Sequence, residues 1–394
     1  MQDTEENGVM SLQSKREYLG EIRSRYHRAG RAHKSKILDE YCQVCGYDRK
    51  YAIKRLAADP QRPRRKPGRQ PRYDKERLLP VLKRVWLASD QMCSKRLRAA
   101  LPKWLPHLAP LDVESKTQLL AASPATIDRL LQPLRVRYPG KGLGGTKPGT
   151  LLKHHIPIRT GNWDITRPGF IEANTVAHCG NSLAGDFVWS LVFTDIFSGW
   201  TQLRAVWNKG AAGIQEQIAD LEKQTPFVLA GFDCDNGSEF LNYPLLHYFT
   251  QRQKPVAFTR SRPYHKNDNA HVEQKNWTHV RHLLGWDRLK NPQLVALIND
   301  LYREEWSAYQ NFFCPNMKLI SKERVRSRYR KCYDPPQTPY ERLLQSREVS
   351  PQRKRQLQAA YARLNPFALK KTIEQKLKNI FALNRVQQAD STNP

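Results

Sequence analysis

The strongest constraint in this chain lies between residues 170 and 259, where helical spacing gives way to strand-like runs. Three segments rich in β-branched and aromatic residues, 170–179, 187–196 and 200–207, follow one another, with Ser198-Gly199 placed where a hairpin turns. Residues 211–224 return to helical spacing, 228–233 are a short apolar strand, 238–251 are helical and 255–259 are strand-like. The order predicts three antiparallel strands followed by alternating helix and strand, hence an α/β domain over 161–315.

The residues before that domain read as helices and linkers. Ser14 with Glu17 is a capping-box pattern that opens a helix with Tyr18, Leu19, Ile22 and Tyr26 at helical spacing. Ile37, Leu38, Tyr41, Cys42 and Cys45 form a second apolar stripe, Gly46 permits a tight turn, and Asp48 caps a third helix over 49–57. Residues 1–60 are thus expected to form a helix-turn-helix module whose last helix packs Ala52, Ile53 and Leu56 and turns Arg49, Lys50 and Lys54 to DNA. Residues 61–74 are too rich in Pro and Arg to join a core, and Lys66-Pro67-Gly68-Arg69 with Pro71-Arg72 is similar to an AT-hook. Its Arg69 and Arg72 either enter a narrow minor groove or, in an extended basic arm, touch only phosphate.

A second helix-turn-helix domain is expected over 75–138, with Leu78, Leu79, Leu82, Val85 and Trp86 on one face. Its final helix is capped by Ser123, opened by Pro124 and carries Arg129 as a DNA contact. The glycine-rich stretch from Tyr138 to Thr150 has no apolar period and marks 139–160 as a linker.

Charge decides between partners. Lys and Arg number 66 against 37 Asp and Glu, a formal net charge of +29, which makes double-stranded DNA the leading partner. No apolar run is long enough to span a bilayer and the polar start lacks a secretory signal, so a soluble, cytoplasmic, nucleoid-associated protein without membrane contact is expected. The 7 cysteines then argue for reduced thiols and no disulfides. Cys42 and Cys45 form a CxxC near His27 and His33, but both cysteines lie on an apolar stripe, so they read as core residues and not as zinc ligands.

Two blocks carry chemistry. Phe232-Asp233-Cys234-Asp235-Asn236-Gly237-Ser238-Glu239-Phe240 sets an aspartate at a strand end before Asn-Gly. Glu273 follows Asp235 by 38 positions, within Lys266-Asn267-Asp268-Asn269-Ala270-His271-Val272-Glu273-Gln274-Lys275-Asn276. Together these segments resemble the second and third catalytic blocks of bacterial insertion-sequence DDE transposases of the retroviral-integrase type. The first block of those relatives, an aspartate before Thr-Val-Ala-His-Cys-Gly, is similar to Asn174-Thr175-Val176-Ala177-His178-Cys179-Gly180, with Asn in place of the aspartate.

The resemblance covers mainly 160–320. It implies an RNase H-like core, with positions Asn174, Asp235 and Glu273 as catalytic and metal-binding residues for two Mg²⁺ ions about 3.5–4 Å apart, Mn²⁺ being able to substitute. It implies 3′-end cleavage and strand transfer at terminal inverted repeats, by a dimer or tetramer assembled on transposon ends and target DNA. On the Glu273 helix it implies contact of Lys266 and Lys275 with the transposon end. The chain as a whole is therefore expected to be multidomain, with N-terminal all-α helix-turn-helix modules, a central α/β RNase H-like core and a mainly helical, basic C-terminal tail over 316–394.

Asn keeps the shape of Asp but removes a charge from a site that balances two divalent cations, so the fold is expected to survive while metal affinity collapses. The intact remainder of the block points to a deliberate inactivating substitution more than to natural decay. Glu172 shares Asn174's face by strand parity and offers a substitute carboxylate, whereas Asp233 and Asp195 are expected to hydrogen-bond near the site without ligating metal. The alternatives are a catalytically dead DNA-binding regulator derived from a transposase and an RNase H-like nuclease that cuts without joining. Downstream, 291–313 predicts a long helix with Leu294, Leu297, Leu301 and Trp306 at helical spacing. Residues 318–330 are basic, and 351–381 read as two basic helices broken at Asn365-Pro366, suited to assembling protomers or bracing DNA.

Overall fold

A computed structural model describes residues 10–58, 73–108, 110–135, 165–235, 237–261 and 270–390. Contacts divide the chain into Met1–Arg72 and Tyr73–Pro394. In the first unit the described residues form α1 (Leu12–Arg28), α2 (Arg31–Cys45) and α3 (Arg49–Ala57). α1 starts before the Ser14 box: Ser11 is the cap, its Oγ accepting from the Ser14 amide at 3.1 Å, one of the first-turn donors that the helix itself leaves unpaired. Gly46 ends α2 at φ +66°, and the Asp48 carboxylate accepts from the Lys50 amide at 2.8 Å to open α3. Leu19, Ile22, Ile37, Leu38, Tyr41, Cys45, Ala52 and Leu56 form the core. Ile53, expected inside, is 42% exposed because Ala52 and Leu56, four residues apart, already supply the packed face. His27 Nε2 lies 3.1 Å from the Leu56 carbonyl, and Cys45 is buried among apolar residues.

The larger unit is built on a sheet of β1 (Phe170–Ala177), β2 (Val188–Asp195), β3 (Thr201–Trp207), β4 (Gly231–Cys234) and β5 (Ala257–Arg260). The order is β3-β2-β1-β4-β5, with β1–β2 and β2–β3 antiparallel and β1–β4 and β4–β5 parallel. α8 (Ala211–Gln224) connects β3 to β4, and α9 (Tyr243–Thr250) connects β4 to β5. This is a mixed α/β sheet core with helical flanks, compatible with the RNase H-like order expected. α9 starts five residues later than its apolar pattern because Asn242 caps it, Oδ1 accepting from the Leu245 amide at 2.9 Å.

Strand alternation gives the sheet two packed faces. Ile171, Ala173, Phe232 and Cys234 meet Ile214, Ile218, Leu245 and Phe249 of α8 and α9. On the other face Val176, Val192, Leu203 and Ala205 meet α12 (Leu294–Leu301) and its continuation. That continuation is π-helical at Tyr302–Trp306 and Tyr309–Phe313. The buried stripe runs through Leu294, Ile298, Leu301, Tyr302, Trp306, Tyr309 and Phe313, while Leu297, expected inside, is 39% exposed. α10 (Ala270–Lys275) likewise runs through a π-helical segment, Asn276–Arg281, into α11 (His282–Leu284).

α4 (Lys75–Ala88), α5 (Ser94–Trp104), α6 (Val113–Ala121) and α7 (Pro124–Arg135) pack into this unit. Trp104 Nε1 donates to the Phe313 carbonyl at 3.0 Å, the Tyr309 hydroxyl to the Ala88 carbonyl at 2.7 Å, and Arg96 Nε to the Pro315 carbonyl at 2.5 Å. The separate domain expected over 75–138 is therefore a wall of the sheet's own unit, its apolar residues sharing one core with the 294–313 helix. Ser123 caps α7 as anticipated, accepting from the Thr126 amide at 3.1 Å.

The basic stretch after the core folds as an antiparallel ribbon, β6 (Leu319–Val325) and β7 (Arg328–Tyr333), for which the sequence offered no strand signal. α13 (Pro339–Gln345), α14 (Pro351–Ala362) and α15 (Pro366–Asp390) follow, with the last break at Asn365-Pro366. α15 returns across the unit: Lys376 pairs with Asp300 and Glu305 at 2.6 Å, Lys370 with Asp90 at 2.5 Å, and Ile373 and Ile380 are buried. All 7 cysteines are free thiols, and no described helix is long and apolar enough to cross a membrane.

A buried polar chain crosses the core face: His178 Nε2 lies 2.8 Å from Ser190 Oγ, which lies 2.7 Å from the Tyr302 hydroxyl. Burial, aided by the nearby Arg281 charge, pushes the His178 pKa down to about 3. Unfolded histidine takes up its proton near 6.5, so the stability held by neutral His178 is full above that pH and is lost as pH falls toward 3. A His178→Gln variant is expected to show a flatter decline of Tm between about pH 6.5 and 4 than the parent chain. Parallel Tm-against-pH curves for the two proteins contradict this account.

Candidate active site

β1 and β4 are parallel neighbours, and their register runs Glu172↔Asp233, then Ala173↔Cys234. The next positions are Asn174, still within β1, and Asp235, the first residue past β4. Both are half-buried; Asn174 Oδ1 accepts from the Thr175 amide at 2.7 Å and Asp235 Oδ1 from the Gly237 amide at 3.0 Å. Ala173 and Cys234, which the sequence places 61 residues apart, are thus joined by the sheet ladder.

The third position arrives through Glu172. Its carboxylate is fully buried, and Oε2 accepts from the Val272 amide in the first turn of α10 at 3.1 Å. A helix's first amides lack intrahelical acceptors and carry the positive end of its dipole, so a buried carboxylate is a favourable partner there. Glu172, offered by parity as a substitute ligand, is instead the anchor that holds the Glu273 helix on β1. Glu273, the next residue after Val272, is exposed. Among the described residues no three His, Cys, Asp or Glu side chains gather as a metal-binding group; position 174 contributes an amide in place of an acid.

The sequence reading assigned no role to Glu239. This residue is buried, receives the Thr175 hydroxyl at 2.7 Å and pairs with Lys209 at 3.3 Å. Burial and the Glu239 charge push the Asp235 pKa up to about 6, against the pull of the Gly237 amide and Lys209. The signal was present in the glycine: a Cβ at Gly237 would sit 2.6 Å from the Glu239 carboxylate, so Asn-Gly here serves close approach as well as turning.

The other acids bind elsewhere. Asp233 is buried and accepts from Thr259 Oγ1 at 2.6 Å, linking β4 to β5. Asp195 accepts from the Gly169 amide at 2.8 Å, the Ser198 amide at 2.7 Å and Ser198 Oγ at 2.5 Å, fastening the β2–β3 turn away from the site. Burial raises its pKa to about 6 despite those donors.

The basic positions divide. Lys275 is 9% exposed and lines an open pocket of about 390 Å³ with Arg96, His279 and Asn316, where burial and the neighbouring Arg96 and Arg342 lower its pKa to about 7. Two helical positions rotate it by about 200° from Glu273, onto the side of α10 that faces Arg96. Lys50 and Lys54 are exposed on α3, Arg49 is tied back to Asp39 and to Ser35 Oγ at 3.0 Å, and Arg129 is exposed on α7 with Nε 3.3 Å from the Ala125 carbonyl. Arg69, Arg72 and Lys266 lie outside the described residues.

Removing the anchor tests this construction. Glu172→Ala is expected to destabilise the chain by about 1–3 kcal/mol and to speed hydrogen exchange at the Val272 amide. Undiminished protection of that amide would show that α10 is held by something else.

No protein-family model matches the chain. It is 37% identical over 339 residues to a Sinorhizobium fredii (strain NBRC 101917 / NGR234) protein described as uncharacterized protein y4rM, covering 84% of this chain and 96% of the relative. Among solved structures it is similar to the catalytic core domain of BIV integrase, with 14% identity and a TM-score of 0.27, over 44% of this chain and 91% of that one.

Proposed function

The chain belongs to the family of the Sinorhizobium fredii protein y4rM, and we propose that it is a DDE-type DNA transposase whose active site lacks its first acid. The observation that supports this reading is the parallel register of β1 and β4, which runs up to the residues just before Asn174 and Asp235, with the first turn of the Glu273 helix bonded to β1 through Glu172. Three sequence blocks that resemble transposase blocks, on a sheet whose strand order suits such an enzyme, support the reading.

The residues present fit a hard divalent cation in kind but carry one charge too few. Asp235 and Glu273 offer carboxylate oxygens and Asn174 an amide oxygen. The pKa of Asp235 is raised first by burial and then by the Glu239 charge, and a bound cation would oppose both by favouring the ionised carboxylate. Mg²⁺ bound there would stabilise the anionic oxygens of a phosphodiester during 3′-end cleavage and joining. Glu239 stands behind Asp235 and, with Thr175 and Lys209, fixes the turn that presents it.

Binding of terminal repeats is assigned to α3, through exposed Lys50 and Lys54, and to Arg129 on α7, with Arg69 and Arg72 of the intervening arm and Lys266 ahead of α10 as further contacts. Arg49 is assigned to fixing α3 against α2, since both its contacts lie on α2. The partner is double-stranded DNA, and joining two ends requires a homo-oligomer assembled on it.

The test restores the missing charge. Asn174→Asp is expected to bind Mg²⁺ more tightly by calorimetry and to raise strand transfer on end-bearing oligonucleotides by at least about 100-fold, whereas Asn174→Asp with Asp235→Asn is inactive. Cut but unjoined products would identify a nuclease. Inactivity of every variant with end binding retained would identify a DNA-binding regulator, the reading that Asn174 itself favours.

A further inference from the structure

The β6–β7 ribbon stands apart from the rest of its unit. Every residue of β7 is exposed, Leu319, Ile320 and Val325 of β6 are 46%, 67% and 53% exposed, and no ribbon residue enters a hydrophobic cluster. A two-stranded hairpin without a packed face is marginal in water.

Its charges make the isolation costlier. Residues 319–333 contain Lys322, Arg324, Arg326, Arg328, Arg330 and Lys331 against Glu323 alone. The register sets Lys322 opposite Lys331, a like-charge rung, and only Glu323 opposite Arg330 joins opposite charges. Lysines on a free edge discourage strand pairing with other chains, but that purpose needs a few charges of either sign. Six of one sign on an arm without a core form a surface complementary to a polyanion. Tyr329, opposite Arg324, and Tyr333 add half-exposed rings.

The root of the arm is rigid. The Lys318 carbonyl accepts from the Asp334 amide at 2.9 Å, and Asn316 bridges to Gln337. Buried Arg342 donates to the Asn316 carbonyl at 3.0 Å, the Asp334 carboxylate at 2.9 Å and the Ser198 carbonyl at 3.2 Å. Lys318 Nζ adds a bond to the Phe197 carbonyl at 2.8 Å. The clamp ties the ribbon to the β2–β3 turn of the catalytic sheet while leaving the length of the arm in solvent.

We infer that this ribbon is a DNA arm that lies in the major groove of a duplex, with its arginines on the flanking phosphates. A major groove about 12 Å wide admits a two-stranded ribbon, and a charge set without base-reading amides suits backbone contact. The inference rests on the transposase reading, to which it adds a contact surface outside the helical modules.

The experiment uses the full chain and a labelled duplex of arbitrary sequence about 40 base pairs long, titrated between about 50 and 200 mM salt. A variant with Arg324→Ala, Arg328→Ala, Arg330→Ala and Lys331→Ala is compared with one carrying Arg324→Lys, Arg328→Lys and Arg330→Lys. Exposed positions of a coreless arm are replaced, and an unchanged Tm verifies the fold. The alanine variant is expected to bind about 10- to 100-fold more weakly at low salt and to lose roughly two to four units of the log Kd against log salt slope, while the lysine variant keeps the slope. Tight duplex binding with the same slope in the alanine variant overturns the arm and leaves the transposase reading standing. No duplex binding by the unaltered chain overturns both, and a loss confined to single-stranded RNA overturns the assignment to DNA.

Discussion

A buried carboxylate is tolerated only when donors answer it, and Glu172 is the case on which this site depends. β1 and α10 are separated by 100 positions along the chain, and the bond from the Val272 amide to Glu172 makes them neighbours. The acid thereby acts through position alone. It answers a helix terminus, while Asn174 within β1 and Asp235 just past β4 stay half-buried.

The same economy of polar groups joins the helices of 75–135 to the sheet. Trp104, Arg96 and Tyr309 all donate to carbonyls at Phe313, Pro315 and Ala88, at places where a helix has ended or its regular bonding lapses. α15 closes the arrangement by placing Lys370 and Lys376 on Asp90, Asp300 and Glu305. The C-terminal helices therefore brace this protein's own core. Lys275 lies near Arg96 and Arg342, and its pKa is lowered first by burial and then by those two charges.

What the sequence made legible was local. Asp48, Ser123 and Asn365-Pro366 cap or break helices through groups within three residues, and strand parity is enough to set Glu172 on the face of Asn174. Features set by distant partners were opaque. The side of α10 that carries Lys275 depends on which wall α5 occupies, and Glu172 reads as a spare ligand until α10 is seen to end on it. Glu239 needed Thr175 and Lys209 beside it to gain meaning. The ribbon escaped notice because its strands have no apolar alternation to betray them, only basic residues that also suit a tail.

One further property follows from the shared core of α4–α7 and the sheet. α7 and the ends of β1 and β4 belong to a single packed body, so the span between Arg129 and Asp235 is set by side-chain packing and not by the chain that runs between them. Any duplex touching both places must do so at a fixed stride. The body is a ruler whose graduations are its packed side chains.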